Sequence, residues 1–253
     1  MAAFAQITLG ETIKEDSYIA PMIDARRMEV YTAFFDHQNI RKSKIEPHIF
    51  TEDSFKEISQ PIVLCGDGCE KAKDLFASRE NIEMKKTIVL YWPKAGNVEK
   101  SAKNVAARYG DIEIKPIDEV NTEDLQSHDN YILGCSTVGA ATWDSSENKD
   151  PWPAFFKACE QVGISEKNIA LFGLGDQVRW PDHFVDGLSI IYEQIKKQSK
   201  NIVGKWSVKG YDHVQSEAQE GDYFVGLALD EDQQEELSDE RIEKWIKQIK
   251  AEF

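Results

Sequence analysis

Ile169-Ala170-Leu171-Phe172-Gly173-Leu174-Gly175-Asp176 is an apolar run that ends on two alternate glycines and a carboxylate. An apolar run that stops this way reads as a central parallel strand whose carboxyl end opens into a binding crevice. The glycines let the backbone approach a ligand closely. Beyond them, Trp180 stands on a loop among polar neighbours, and Pro181-Asp182 suits the first turn of a helix predicted over about residues 183–198. A large flat side chain at a crevice mouth either stacks on a flat ligand or covers the end of that helix, and the residues alone leave both readings open.

The same alternation runs through the chain from Thr87 onward. Strands are predicted at residues 87–91, 112–114, 131–135, 168–172 and 202–204. Between them lie helices at about 98–109, a brief one after Asn121-Thr122-Glu123-Asp124, one at 153–162 and the one that carries Ile190-Ile191-Tyr192. Short apolar strands separated by helices of this length give a doubly wound α/β fold, a mostly parallel sheet with helices on both faces. Ligands bind such sheets outside the carboxyl ends of the strands, where the loops 92–97, 136–150 and 173–181 emerge. The closing segment begins a helix at Ser238-Asp239-Glu240 and carries an apolar stripe suited to the sheet.

Residues 1–83 read as a separate α/β segment, weakly helical over Met1–Thr12. Two strands, Tyr18–Asp24 and Met28–Phe35, join around Ala25-Arg26-Arg27. A further strand is expected in Lys44–Phe50, a short helix from Thr51-Glu52-Asp53-Ser54, an apolar strand at Pro61–Cys65 and a helix from Glu70 to Ala77. This is little material for an independent core. Phe76 to Glu83 is polar and breaks the pattern, and Met84-Lys85-Lys86 ahead of an apolar strand resembles a natural amino terminus, which places a boundary at 83/84.

The balance of 30 Lys+Arg against 45 Asp+Glu, a formal net charge of −15, argues against nucleic acid and anionic membranes and for basic protein partners. No apolar run approaches a membrane span and the first residues lack the pattern of a secretory signal, so a cytosolic chain is expected. Cys65, Cys69, Cys135 and Cys159 sit in or beside apolar segments as small buried hydrophobes rather than as a disulfide framework or metal set. The crevice holds no nucleophile, general base or metal constellation, which favours a carrier over an enzyme.

Two family resemblances follow from particular strings. Met22-Ile23-Asp24-Ala25-Arg26-Arg27-Met28-Glu29-Val30-Tyr31-Thr32-Ala33, followed by Ile62-Val63-Leu64-Cys65-Gly66-Asp67-Gly68-Cys69-Glu70-Lys71, resembles part of the accessory, dimerising subunit of the complex that makes threonylcarbamoyladenosine in tRNA. The resemblance implies a partial actin-like segment over residues 1–83, whose partner would be the catalytic subunit of that complex. It carries over no catalytic residue. Arg26 and Arg27 read as exposed or carboxylate-paired arginines more readily than as an anion site.

Residues 84–253 resemble the long-chain flavodoxins. The strings are Phe172-Gly173-x-Gly175-Asp176-Gln177-Val178, Asp182-x-Phe184-x-Asp186, Gly204-x-Trp206, Gly210-Tyr211-Asp212 and Phe224 through Asp232. This resemblance implies a five-stranded sheet of order 2-1-3-4-5, bound flavin mononucleotide (FMN) and one-electron transfer at low potential. The acidic charge, with Asp230-Glu231-Asp232 as either a solvated loop or a steering run, suits redox proteins that present basic surfaces. Carried over position by position, Trp180 stands where an aromatic stacks on the outer flavin face. Asp176 lies against the flavin edge, with Gly173 and Gly175 keeping backbone close. Ser136, Thr137, Val138 and Gly139 match the second flavin loop, although Val138 replaces the usual inner-face tryptophan and Trp143 lies five residues on. The phosphate loop departs furthest from the pattern, since Pro93-Lys94-Ala95-Gly96-Asn97-Val98 keeps the glycine but has lost the hydroxyls. Lys94 offers a compensating charge. The expectations that stand are an FMN carrier with a remodelled phosphate site formed by Lys94, Ala95, Gly96 and Asn97, the same fold with a changed or lost ligand, or an interaction subunit acting through residues 1–83.

Overall fold

The computed structural model describes residues 15–253 apart from 67, 77, 111 and 137–149. Met1–Lys85 with Lys250–Phe253 make one unit and Lys86–Ile249 another. The expectation for Met1–Thr12 falls outside the described residues.

In the first unit β1 (Tyr18–Asp24), β2 (Glu29–Thr32), β3 (Glu46–Ile49), β4 (Ile62–Cys65) and β5 (Ile82–Met84) form a sheet of order β3-β2-β1-β4-β5. β1–β2 and β2–β3 are antiparallel, while β4 and β5 add in parallel. Its core gathers Met22, Val30, Phe50, Phe55, Leu64 and Phe76. Three expectations change here. Thr51–Ser54 forms turns, not a helix, because Ser54 Oγ accepts the Thr51 N–H and bonds His48 Nε2, and Phe55 follows with φ +62°. The helix expected over 70–77 divides into a 3₁₀ turn, Cys69–Ala72, and the single turn α1 (Lys73–Phe76). Ile82 and Glu83, read as the end of a polar junction, and Met84, read as the start of the next segment, together form β5, so Met84 ends a strand of this sheet.

The second unit is built around β6 (Thr87–Tyr91), β7 (Glu113–Pro116), β8 (Asn130–Cys135) and β9 (Asn168–Leu174), with β10 (Ile202–Val203) and β14 (Leu227–Leu229). All pair in parallel, in the order β10-β9-β8-β6-β7 with β14 also on β9. The single fifth strand of the expected 2-1-3-4-5 order is therefore divided. β10 pairs with the start of β9 and β14 with its end, and the chain between them forms a small antiparallel sheet of β11 (Trp206–Ser207), β13 (Tyr223–Phe224) and β12 (Gln219–Glu220).

Helices α2 (Gly96–Tyr109), α3 (Thr122–Ser127), α4 (Trp152–Val162), α5 (Gly187–Ile195) and α6 (Glu235–Glu252) complete the set. Strand alternation sends Ile88, Leu90, Leu133 and Leu171 into a core with Phe155, Leu188 and Ile191. On the opposite parity Phe172 meets Trp245 of α6 edge-on, and the Trp245 indole donates to the Gly204 carbonyl at 2.7 Å. α6 starts at Glu235, three residues before the expected cap, so Ser238 is buried inside its first turns. The helix expected over 183–198 is trimmed to α5, because residues 181–186 turn instead and Val185 takes φ +52°, a region that β-branched residues rarely adopt.

Candidate functional site

A cavity of about 700 Å³ opens at the carboxyl end of the second sheet. Four loops line it. Pro93 and Ala95 come from the turn between β6 and α2, Asn97 and Val98 from the first turn of α2, and Ser136 follows β8. Gly175, Asp176, Arg179, Trp180, His183, Val185 and Asp186 come from the loop between β9 and α5, and Glu231 and Asp232 follow β14. Each loop leaves the same edge because its strand is parallel to the others.

At one end α2 begins without a side-chain cap. Ala95, at the N-cap, is extended (φ −145°, ψ 167°) and makes no capping bond, so the first N–H groups of the helix are left for a ligand or water. Gly96 has φ +69°, and a Cβ there would meet nothing within 4 Å, so backbone conformation rather than space favours glycine. Lys94 is absent from the cavity lining. Its ammonium lies 2.7 Å from Asp118 and 2.8 Å from Glu119, and bonds to those two carboxylates push its pKa up to about 12. The compensating cation expected from the sequence is thus already paired.

At the other end Trp180 is half exposed on the cavity wall. Its loop is held by its own carboxylates. Asp176 accepts N–H bonds from Val178 (3.0 Å) and Arg179 (2.8 Å) and one from the Gln233 amide (3.2 Å). Burial pushes the Asp176 carboxyl up, but those bonds outweigh it and leave the group below its ordinary value. Asp176 therefore lines the cavity with one carboxylate oxygen, Oδ1, holding the turn. Behind it, fully buried Asp230 accepts from the Gln177 N–H and side-chain amide and from the N–H groups of Asp232 and Gln233, tying the β9 loop to the β14 loop. Asp186 is 3.0 Å from His183 Nδ1 and accepts the Glu217 N–H at 2.8 Å.

The two glycines of the opening motif separate in role. Gly173 is not part of the lining, and its place is set by packing, since a Cβ would lie 2.5 Å from Leu188 Cγ of α5. Gly175 does line the cavity, and a Cβ there would come within 2.7 Å of the Val185 nitrogen. Ser136 stands on the wall, while Thr137, Val138, Gly139 and Trp143 lie outside the described residues. Arg179, His183, Asp186, Glu231 and Asp232 were not identified as site residues from the sequence. The signal for the last two was present in Asp230-Glu231-Asp232, which reads as a solvated or partner-steering run until the sheet order carries β14 beside β9.

The chain matches the flavodoxin family over residues 89–245. This chain belongs to the flavodoxin family. A flavodoxin of Picosynechococcus sp. is 38% identical over 173 residues, which cover 67% of this chain and 99% of that protein. The flavodoxin of Trichodesmium erythraeum is 38% identical over 162 residues, covering 62% and 92%. Among solved structures, the Fusobacterium nucleatum flavodoxin bound to flavin mononucleotide is 27% identical with a TM-score of 0.57, covering 67% of this chain and 99% of that one. The flavodoxin match begins at residue 89 and lends no support to the tRNA-modification resemblance of residues 1–83.

Proposed function

We propose that the cavity holds FMN and that the chain is a low-potential one-electron carrier rather than an enzyme. The observation that carries this is the pairing, in one flavodoxin-family crevice of about 700 Å³, of an exposed tryptophan at one end with an uncapped helix start at the other. The volume suits a ligand of that size, Trp180 supplies a flat stacking surface, and the first N–H groups of α2 suit a phosphate. Bound flavin supplies one-electron transfer. The protein supplies the rest. Trp180 stacks on the ring, Gly175 lets the 184–185 backbone close up behind the site, and Asp230 and Asp176 fix the loop that carries Trp180. Ser136 contributes from the second loop, to which the family resemblance alone assigns Thr137, Val138 and Gly139, and Ala95, Gly96 and Asn97 face the phosphate. Asp176, Asp186, Glu231 and Asp232 on the wall oppose further negative charge inside the cavity and so hold the potential low, with Arg179 offsetting part of that field.

Potentiometric titration of the FMN-loaded protein tests this reading. Two separated one-electron steps, the second well below the potential of free flavin, are expected. Uptake of both electrons at the potential of free flavin would sink it.

A cytosolic chain with redox partners that present basic surfaces fits the net charge of −15. The division into residues 1–83 and 84–253 rests on the break in pattern over Phe76–Glu83 ahead of Met84-Lys85-Lys86, and the actin-like accessory-subunit reading of the first rests on the Asp24–Tyr31 string. Gel filtration with the catalytic subunit of the tRNA-modifying complex tests them: co-elution supports an assembly role, and separate elution removes it.

A further inference from the structure

The two ends of the cavity are unequally equipped. We infer that this site selects its ligand by the flavin ring and hardly by the phosphate, so that riboflavin binds within about tenfold of FMN. The inference rests on the flavin reading above. Three observations at the α2 end carry it.

First, the turn offers a phosphate no hydroxyl. Pro93 lacks an N–H, the N-cap residue is Ala95, and Val98 is buried and apolar. Second, the nearby lysine is taken, because Lys94 lies between Asp118 and Glu119 and a phosphate would have to displace two carboxylates to recruit it. Third, negative charge already occupies this end. The almost fully buried carboxylate of Glu231 lines the same cavity as Ala95, and the lysine paired with it, Lys100 in the second turn of α2 at 3.7 Å, is shared with Glu235, which leaves this cluster net negative. A dianionic phosphate at the helix start gains backbone N–H bonds but meets that carboxylate in a partly desolvated setting, so the gain is offset. Among the described residues, the arginine on the wall, Arg179, is next to Trp180 at the ring end. The ring end is unaffected by these losses, and a ligand without phosphate keeps all of its contacts there.

Fluorescence-quenching titrations of the full chain with riboflavin and with FMN, at one ionic strength, test this. Dissociation constants within about tenfold of each other are expected. Ala95→Thr and Glu231→Gln, which add a hydroxyl and remove a charge at the phosphate end, are expected each to raise the preference for FMN over riboflavin by about tenfold. FMN binding about a hundredfold or more tighter than riboflavin in the unaltered chain would overturn the inference while leaving the flavin site standing. Quenching of neither flavin would overturn the site and the inference together.

Discussion

Asp230 is fully buried, and its two oxygens accept four N–H groups, two from Gln177 and one each from Asp232 and Gln233. Replacing it with alanine strands all four donors, at about 1–3 kcal/mol for each that water cannot reach. Asp230→Ala is therefore expected to lower the unfolding free energy by about 3 kcal/mol or more, read as a shift of the urea midpoint. Gly173 gives a second test at this scale. A Cβ there would lie 2.5 Å from Leu188 Cγ, so Gly173→Ala is expected to cost about 1–3 kcal/mol by overpacking. The cost should shrink in a Leu188→Ala background, because the clash partner is gone. An equal cost in both backgrounds would mean that Gly173 is required for some other reason. The sequence marks Gly173 and Gly175 as a pair, and only the position of α5 separates a packing glycine from a cavity glycine.

Elements were legible where one physical signal dominated. The apolar runs at 87–91, 131–135 and 168–172 became β6, β8 and β9 with ends moved by a residue or two, because a strand buried on both faces leaves little else to read. Asn121 caps α3 with Asp124 in a reciprocal capping box, as the local residues indicate. Elements that depend on distant partners were not legible. β5 has only Ile82 and Met84 as apolar residues and exists by pairing with β4. The division of the fifth strand depends on the insertion folding between β10 and β14. Tyr211 anchors that insertion: its hydroxyl donates to the Ala228 carbonyl at 2.5 Å and accepts from the Trp206 indole at 3.0 Å, and Arg241 stacks on its ring at 4.1 Å. Burial pushes the Tyr211 phenol up to about 12, only partly opposed by Arg241. The folded value is thus above the unfolded one of about 10, so its contribution is intact below pH 10 and is lost as pH rises from about 10 toward 12. Burial also pushes the Cys159 thiol up to about 12, which adds to the same loss from about pH 9. Stability measured in urea is expected to fall steeply between about pH 9 and 12, and less steeply in Tyr211→Phe. An unchanged slope in that variant would remove Tyr211 as a contributor.

At the scale of the molecule, 45 acidic against 30 basic side chains give a field that attracts basic partners and opposes extra negative charge in the crevice. Association with a redox protein of basic surface is expected to slow at least tenfold between about 0.05 and 0.5 M salt, as added ions screen the long-range attraction. A rate independent of salt would assign recognition to apolar contacts instead. Whether the crevice with Trp180 on its wall is a flavin site is read from the visible spectrum of the purified chain titrated with FMN and repeated with Trp180→Ala. Yellow protein with quenched flavin fluorescence is expected, with binding weakened about tenfold or more by the substitution. A chain that leaves added flavin fully fluorescent, or binds it equally well without Trp180, would contradict a flavin site there.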